Sequence, residues 1–419
     1  MLKQVLEFIN ELNPTIVIQA PSRINLINPL DAVEGDFWMP SVAINGIKNP
    51  LSVFVYIKPR DKLSIVKSYS IYDNNKKCKI QIEYEEEISK FQINSEERFN
   101  GKFKLFYASV YRFIKTSSIF WEKFKNSNFE LGILTTIPPQ SGLGGSAAII
   151  IAIIFCFANY FKLYKNLNCI KESEFPINRD IVAEMATKVE DYDLKITAGY
   201  GDRYVISRGG LSFCSYYGKL HHKNISSEPL AIYDRIDTVY NIHNLPIIVC
   251  FSGVSHDSGG VHERLRQSYL LKDPFVLDSY KNLAEISWKS RFAVMKQDWN
   301  LLGKYFKENT LIMNEVMKHV GFADGIGLAN NILIKLIEDH PDVFSAKLTG
   351  AGGGGSVFSL VKPDKIEEVL RDWKQNLNEV INNDSAFMAL FPEYPLEIRE
   401  ELKNTQFFRI KIASGVKKL

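Results

Sequence analysis

Cysteine is scarce in this chain: five residues, Cys78, Cys156, Cys169, Cys214 and Cys250, odd in number, widely spaced and never in a CxxC pair. That pattern argues against a disulfide framework or a cysteine-based zinc site and fits a reducing cytoplasm. An excess of one charge is lacking as well. With 51 basic and 48 acidic residues the formal net charge is +3, and no long basic block appears, so no nucleic acid is expected as partner. Long hydrophobic runs are short too. The most apolar one, Ala147–Phe161, falls below the ~20 residues that span a bilayer, and it predicts a helix buried between a sheet and another layer rather than a membrane partner. The N-terminal MLKQVLEFINELNP sets Val5, Phe8, Ile9 and Leu12 at helical spacing among acids, unlike a signal peptide, and predicts a short surface helix.

The remainder is that of a globular protein. Over 419 residues, 46% are hydrophobic and 24% charged, enough for a sizeable core. Apolar, β-branched runs at Ile16–Ile18, Leu51–Ile57 and Leu63–Val66, broken by Pro, Gly, Asn and Asp, read as strands, as do Lys79–Tyr84 and Phe129–Thr135. Phe103–Ile114 and Ile181–Val189 carry helical spacing. After Asp202, GGLSFCSYYGKLHHKNI predicts a hairpin; Leu245–Ser252 reads as a strand, Ser279–Met317 as long helices, and Ala346–Leu360 and Phe407–Ala413 as strands again. The fold class is α+β in two lobes. No repeat or low-complexity linker divides them, and the expected boundary lies near Ser215–Asn224, giving domains 1–215 and 216–419.

Residues 138–148, PPQSGLGGSAA, form a glycine-rich loop between a strand pattern and a helix pattern. Gly142, Gly144 and Gly145 permit positive φ and close backbone approach, and Ser146 puts a hydroxyl where the helix begins. Backbone amides and a helix N-terminus then converge on one anion, so a phosphorylated ligand is expected. No Lys-Ser or Lys-Thr pair follows the last glycine, which excludes a Walker A loop. Gly142, Gly144 and Ala147 match a loose dinucleotide pattern, but the acidic residue expected about 20 positions on, at the end of a second strand, is missing. A dinucleotide-binding oxidoreductase and a merely structural turn stay as alternatives.

Two more segments, APSRINLINPLD (Ala20–Asp31) and KLTGAGGGGSVFSL (Lys347–Leu360), flank that loop. In order and spacing the three resemble the signature motifs of the GHMP kinases, the superfamily of galactokinase, homoserine kinase, mevalonate kinase and phosphomevalonate kinase. The resemblance implies an N-terminal domain like ribosomal protein S5 domain 2, a ferredoxin-like C-terminal domain, and ATP and substrate in the cleft between them. It implies that Pro139, Ser141, Gly142, Leu143, Gly144, Gly145, Ser146 and Ala147 bind ATP, and that Ser146 and Glu190 (in TKVEDYD) hold Mg2+. Magnesium favours hard oxygen ligands and retains waters, so one hydroxyl and one carboxylate beside the nucleotide suffice. Asp202, in AGYGDRYVISRGGL, matches the catalytic aspartate of the sugar-kinase branch, and Arg23 the arginine that neutralises charge beside it. A carboxylate next to a guanidinium is ionised at neutral pH and ready to align or deprotonate a hydroxyl. A solvated helix-end acid is the plain alternative for Glu190, and a structural salt bridge for Asp202. The TGAGGGG run, flanked by apolar strand residues, predicts a backbone surface pressed against the nucleotide loop or the substrate.

For the acceptor, NPLD (Asn28–Asp31), SHDSGGVHERLRQ (Ser255–Gln267) and GDRYVISRGGL resemble segments of glucuronokinases. The implied reaction is phosphorylation of a sugar, at the anomeric 1-OH of a uronic acid or a related sugar. Asn28, Asp31, Gly199, Tyr204, Arg264, Gly352 and Gly353 are the expected substrate-binding residues, with His256, His262, Arg264 and Arg266 as candidates for an anionic group. Gly201 replaces the glutamine that glucuronokinases carry before the aspartate, and Asn25 follows Arg23 at the spacing of a galactokinase. Other sugar kinases acting on galactose, arabinose or heptose phosphate therefore remain open, as does a sensor that has lost catalysis.

Overall fold

The computed structural model describes residues 1–27, 33, 39–74, 77–93, 95–164, 177–216, 231–254, 258–350 and 352–419. The N-terminal half supplies β1 (Ile16–Asn25), β2 (Met39–Gly46), β3 (Ser52–Pro59), β4 (Ile65–Asn74), β5 (Lys77–Glu87), β6 (Phe129–Thr135) and β7 (Leu211–Tyr216). The C-terminal half adds β8 (Ala231–Arg235), β9 (Ile247–Phe251), β10 (Val343–Thr349), β11 (Ser356–Val361), β12 (Gln406–Ile412) and β13 (Lys417–Lys418). All thirteen join in one sheet whose main path runs β10-β11-β9-β12-β2-β1-β3-β6-β4-β5, with β7 and β8 branching from β2 and β13 from β1.

In the N-terminal lobe the helix Gly145–Tyr160 lies across β1 and β3. It is apolar on every side, and eleven of its residues are buried, from Ala147 to Ala158. A helix of that composition has no face to give to water, so it becomes the centre of the core. The expected N-terminal helix is present as Leu2–Glu11, with Val5 and Ile9 buried against the sheet. Among the described residues no helix is long and apolar enough to cross a membrane.

The C-terminal lobe sets β12, β9, β11 and β10 side by side, all antiparallel. In chain order that is 4-1-3-2, the ferredoxin-like arrangement, with the helices Pro274–Met295, Trp299–His319, Leu328–Glu338 and Ile366–Asn382 in its crossovers. The lobes are sewn together by long-range pairing. β12 pairs with β2 and β13 with β1, so the end of the chain returns to the N-terminal lobe. β7, the first arm of the hairpin expected after Asp202, pairs antiparallel with β8; the expected second arm, within 217–225, lies outside the described residues. The expected boundary at residue 215 falls inside β7.

Candidate active site

Strand β1 alternates its side chains, so Arg23 and Asn25 emerge on one face. Opposite them the helix Gly201–Arg208 presents Asp202 in its first turn. The Arg23 guanidinium grips the Asp202 carboxylate through both Nε and Nη2, while Nη1 donates to the carbonyl of Gly142. Asn25 Nδ2 donates to Asp202 Oδ1 at 3.3 Å; its own Oδ1 accepts from Ser41 Oγ at 2.8 Å, which fixes the amide's orientation. Burial alone pushes the Asp202 carboxyl up. The charge and hydrogen bonds of Arg23, then the charge of Arg203 and the Asn25 bond, outweigh it and bring Asp202 down to about 2. Asp202 is therefore ionised throughout the neutral range.

The glycine loop reaches the same point from β6. Gly142 and Gly144 take positive φ, 69° and 79°, and Gly144 caps the helix Gly145–Tyr160 without a side-chain hydrogen bond. The first-turn amides of a helix have no intrahelical partner, so this end offers hydrogen-bond donors to an anion. A Cβ on Gly144 would lie 3.1 Å from Arg23 Cγ and from Ile206 Cδ1, so the glycine is required by the close approach of Arg23. The buried Ser141 hydroxyl has no protein hydrogen-bond partner among the described residues, a vacancy that suits a ligand oxygen. Leu143 faces inward, its carbonyl accepting from Ser22 Oγ at 2.7 Å and from the Arg23 amide at 3.2 Å.

The third glycine run closes the site from the C-terminal lobe. Ser356 Oγ donates to the Ser141 carbonyl at 2.7 Å, and a Cβ on Gly350 would come within 3.2 Å of the Gly142 carbonyl oxygen. Thr349 Oγ1 accepts the Asn25 amide at 3.0 Å. The backbone pressed on the loop at Gly142 is thus Gly350, not Gly353. Gly353 donates instead to the Ile326 carbonyl at 2.9 Å, and Gly352 lies against Ile326 and Met317.

These elements enclose a cleft of about 390 Å³. Of the residues expected from sequence, Arg23, Pro139, Ser141, Gly142, Gly144, Gly145, Ser146, Ala147, Glu190, Gly199 and Asp202 line it, together with His262. Glu190 sits on a short π-helical turn, Val189–Asp193, and is paired with Arg203; Arg203 Nη1 also donates to the Gly199 carbonyl at 3.1 Å and stands 3.8 Å from Asp202 Oδ2. Four substrate-binding expectations fall elsewhere. Tyr204 is buried, its hydroxyl donating to Glu184 at 2.9 Å, because two residues along a helix from Asp202 is the opposite face. Arg264 stacks its guanidinium 4.8 Å from the Phe322 ring centre, and Gly352 and Gly353 serve the turn just described. Asn28, Asp31 and His256 lie outside the described residues. Asn25, Arg203, Lys104 and Gly350 line the cleft without having been singled out as binding residues. The spacing of Asn25 from Arg23 on a strand was the signal available for it.

A glycine loop at a helix N-terminus, facing an ionised carboxylate held by arginine across a cleft, is the arrangement of a small-molecule phosphotransferase. Family models agree: residues 108–210 match the GHMP kinases N terminal domain and residues 292–379 the GHMP kinases C terminal domain. Both halves of the chain thus carry a match to a GHMP kinase model. The chain is 23% identical over 296 residues to D-glycero-alpha-D-manno-heptose 7-phosphate kinase of Campylobacter jejuni, an alignment covering 70% of this chain and 75% of that protein. It is 28% identical over 244 residues to glucuronokinase 1 of Arabidopsis thaliana, covering 58% of this chain and 60% of that protein. Among solved structures, galactokinase of Lactococcus lactis complexed with galactose superposes with a TM-score of 0.66 at 15% identity, over 100% of both chains.

Proposed function

We propose that the protein is an ATP-dependent sugar kinase that transfers the γ-phosphate to a sugar hydroxyl, with the anomeric 1-OH of a uronic acid or related sugar as the first choice of acceptor. The observation that carries this reading is the convergence of Asp202, held by Arg23 and Asn25, with the Gly142–Ser146 loop in one cleft. The loop amides and the helix N-terminus hold the phosphates. Ser146 and Glu190 are the hard oxygens that would hold Mg2+; among the described residues no cluster of three or more His, Cys, Asp or Glu offers a fuller protein cage, which suits a metal shared with the nucleotide. When bound, that ion neutralises charge on the transferring phosphoryl group.

The charge state of Asp202 defines its part. A carboxylate at about 2 is a weak base, and phosphoryl transfer through a loose transition state asks little of a base early on. Asp202 therefore acts mainly by accepting the acceptor hydroxyl's hydrogen bond and aiming its oxygen, and takes the proton only as the new O–P bond forms. Arg23, touching both Asp202 and the Gly142 carbonyl, ties acceptor alignment to the phosphate loop.

A second reading has its own support. Of the residues expected to meet a carboxylate, Arg264 lies on Phe322 and Arg266 on Asp191; His256 lies outside the described residues, and His262 lines the cleft. A neutral sugar or a sugar phosphate, as in galactokinase or the heptose 7-phosphate kinase, is accordingly the alternative acceptor. The test is ADP release with Mg2+ and ATP across uronates, their neutral parent sugars and sugar phosphates. Higher kcat/KM for glucuronate or galacturonate supports the first reading; equal or better turnover of the neutral or phosphorylated sugars supports the second. A cytoplasmic setting is part of the proposal, supported by the buried free thiols of Cys156 and Cys250.

A further inference from the structure

Part of the SHDSGGVHERLRQ segment forms the helix Ser258–Leu270. Gly259, His262 and Arg266 follow at intervals of three and four and share one face of it, while Val261 and Leu265 are buried in the C-terminal core. Gly259 and His262 line the cleft. One turn further on, Arg266 reaches across to the N-terminal lobe. Its Nη1 stands 2.8 Å from Asp191 Oδ1, and its Nη2 donates to the Ala198 carbonyl at 3.3 Å. Asp191 Oδ1 also accepts the Ala198 amide at 3.0 Å. A single guanidinium and a single carboxylate thereby pin both ends of the segment 191–198. Glu190 and Gly199, the residues flanking it, line the cleft. The pair is sheltered, the side chains 15% and 7% exposed, so solvent screens it less than a surface bridge.

We propose that Arg266 and Asp191 are a positioning pair, an interlobe clasp that holds the helix carrying His262 in register with the turn carrying Glu190. The clasp rests on the kinase reading of the cleft. It gives Arg266 a task other than binding substrate: it sets the spacing between the acceptor side and the phosphate side. Arg112 provides the contrast, since it holds the neighbouring Asp193 at 2.8 Å from within the N-terminal lobe and spans no interface between lobes.

The experiment is a double-mutant cycle on the full chain with Arg266→Gln, Asp191→Asn and both together, beside Arg112→Gln. Steady-state kinetics on the best acceptor, binding of Mg2+-ADP by calorimetry and Tm are read for each. A displacement of about 1 Å at a reacting centre can cost about 10²-fold, so each single change should lower kcat/KM by ~10- to 100-fold. The double variant should lose less than the product of the two single losses, because the two share the central ion pair. Tm should fall less than in Arg112→Gln. Asp191→Asn keeps an oxygen for the Ala198 amide, so it separates loss of the clasp from loss of the turn. Unchanged kcat/KM, strictly additive losses, or losses that track Tm would overturn the clasp. Failure of the unaltered protein to bind Mg2+-ADP or to turn over any sugar would instead strike the kinase reading itself.

Discussion

At the scale of single residues the account rests on charge. Asp202→Asn keeps shape and hydrogen bonding but removes the negative charge that, in the proposed reaction, aims the acceptor oxygen and finally receives its proton. The expected loss is on the order of 10² to 10⁴ in kcat, with nucleotide affinity little changed; a folded variant with near-normal kcat would move the role to another residue. Because Asp202 stays ionised down to about pH 2, its protonation cannot produce an activity limb between pH 4 and 8. Lys347 is a different kind of outlier. It is fully buried on β10, its ammonium 5.9 Å from the Phe306 ring centre and 5.0 Å from that of Phe358, with Nζ donating to the Leu348 carbonyl at 2.6 Å. Burial pushes its amine down from 10.5 to about 7. Between those values the unfolded chain holds a proton that the folded one has released, so this group makes stability rise with pH across that window and is a penalty below it. Lys347→Met should raise Tm at pH 7 and flatten the dependence of Tm on pH between about 7 and 10.5; identical pH slopes in the two proteins would refute this.

At the scale of elements the glycine loop is the part whose geometry is most exacting. Gly144→Val places a branched side chain where φ is 79° and where Arg23 already stands at 3.1 Å, so it displaces the arginine and distorts the helix cap together. The expected outcome is weaker Mg2+-ADP binding and lower kcat in a protein that still folds, checked by calorimetry, kinetics and circular dichroism. Unchanged affinity in a folded variant would reduce the loop to a structural turn. Here the sequence was informative where signals are local. The all-apolar run forms the buried helix, and the glycine loop lies between strand and helix with Gly142, Gly144, Gly145 and Ser146 lining the cleft. It was less informative where position depends on pairing at a distance. Which glycine of TGAGGGG touches Gly142 depends on the β10–β11 register, and residue 215 lies within β7, which pairs back to β2. Tyr204 and Arg264 were chosen for closeness to a motif, but helical phase turns Tyr204 to Glu184 and Arg264 to Phe322.

At the scale of the whole molecule, two lobes share a single sheet and meet over the cleft, β12 and β13 returning from the C-terminal half to seal the N-terminal one. Both lobes supply walls of the site, so a ligand that bridges them should stabilise the fold as a unit: Tm should rise with Mg2+ and an ATP analogue and stay unmoved with NAD. Stabilisation by NAD alone would return the dinucleotide reading. The central claim is transfer itself, and 31P NMR of the unaltered protein with ATP, Mg2+ and the sugar panel tests it most directly. A new sugar-phosphate resonance is expected, with ADP formed in equal amount, that is lost or slowed at least ~10²-fold in Asp202→Asn. ATP left intact with every sugar, or ADP formed only with inorganic phosphate, would contradict it.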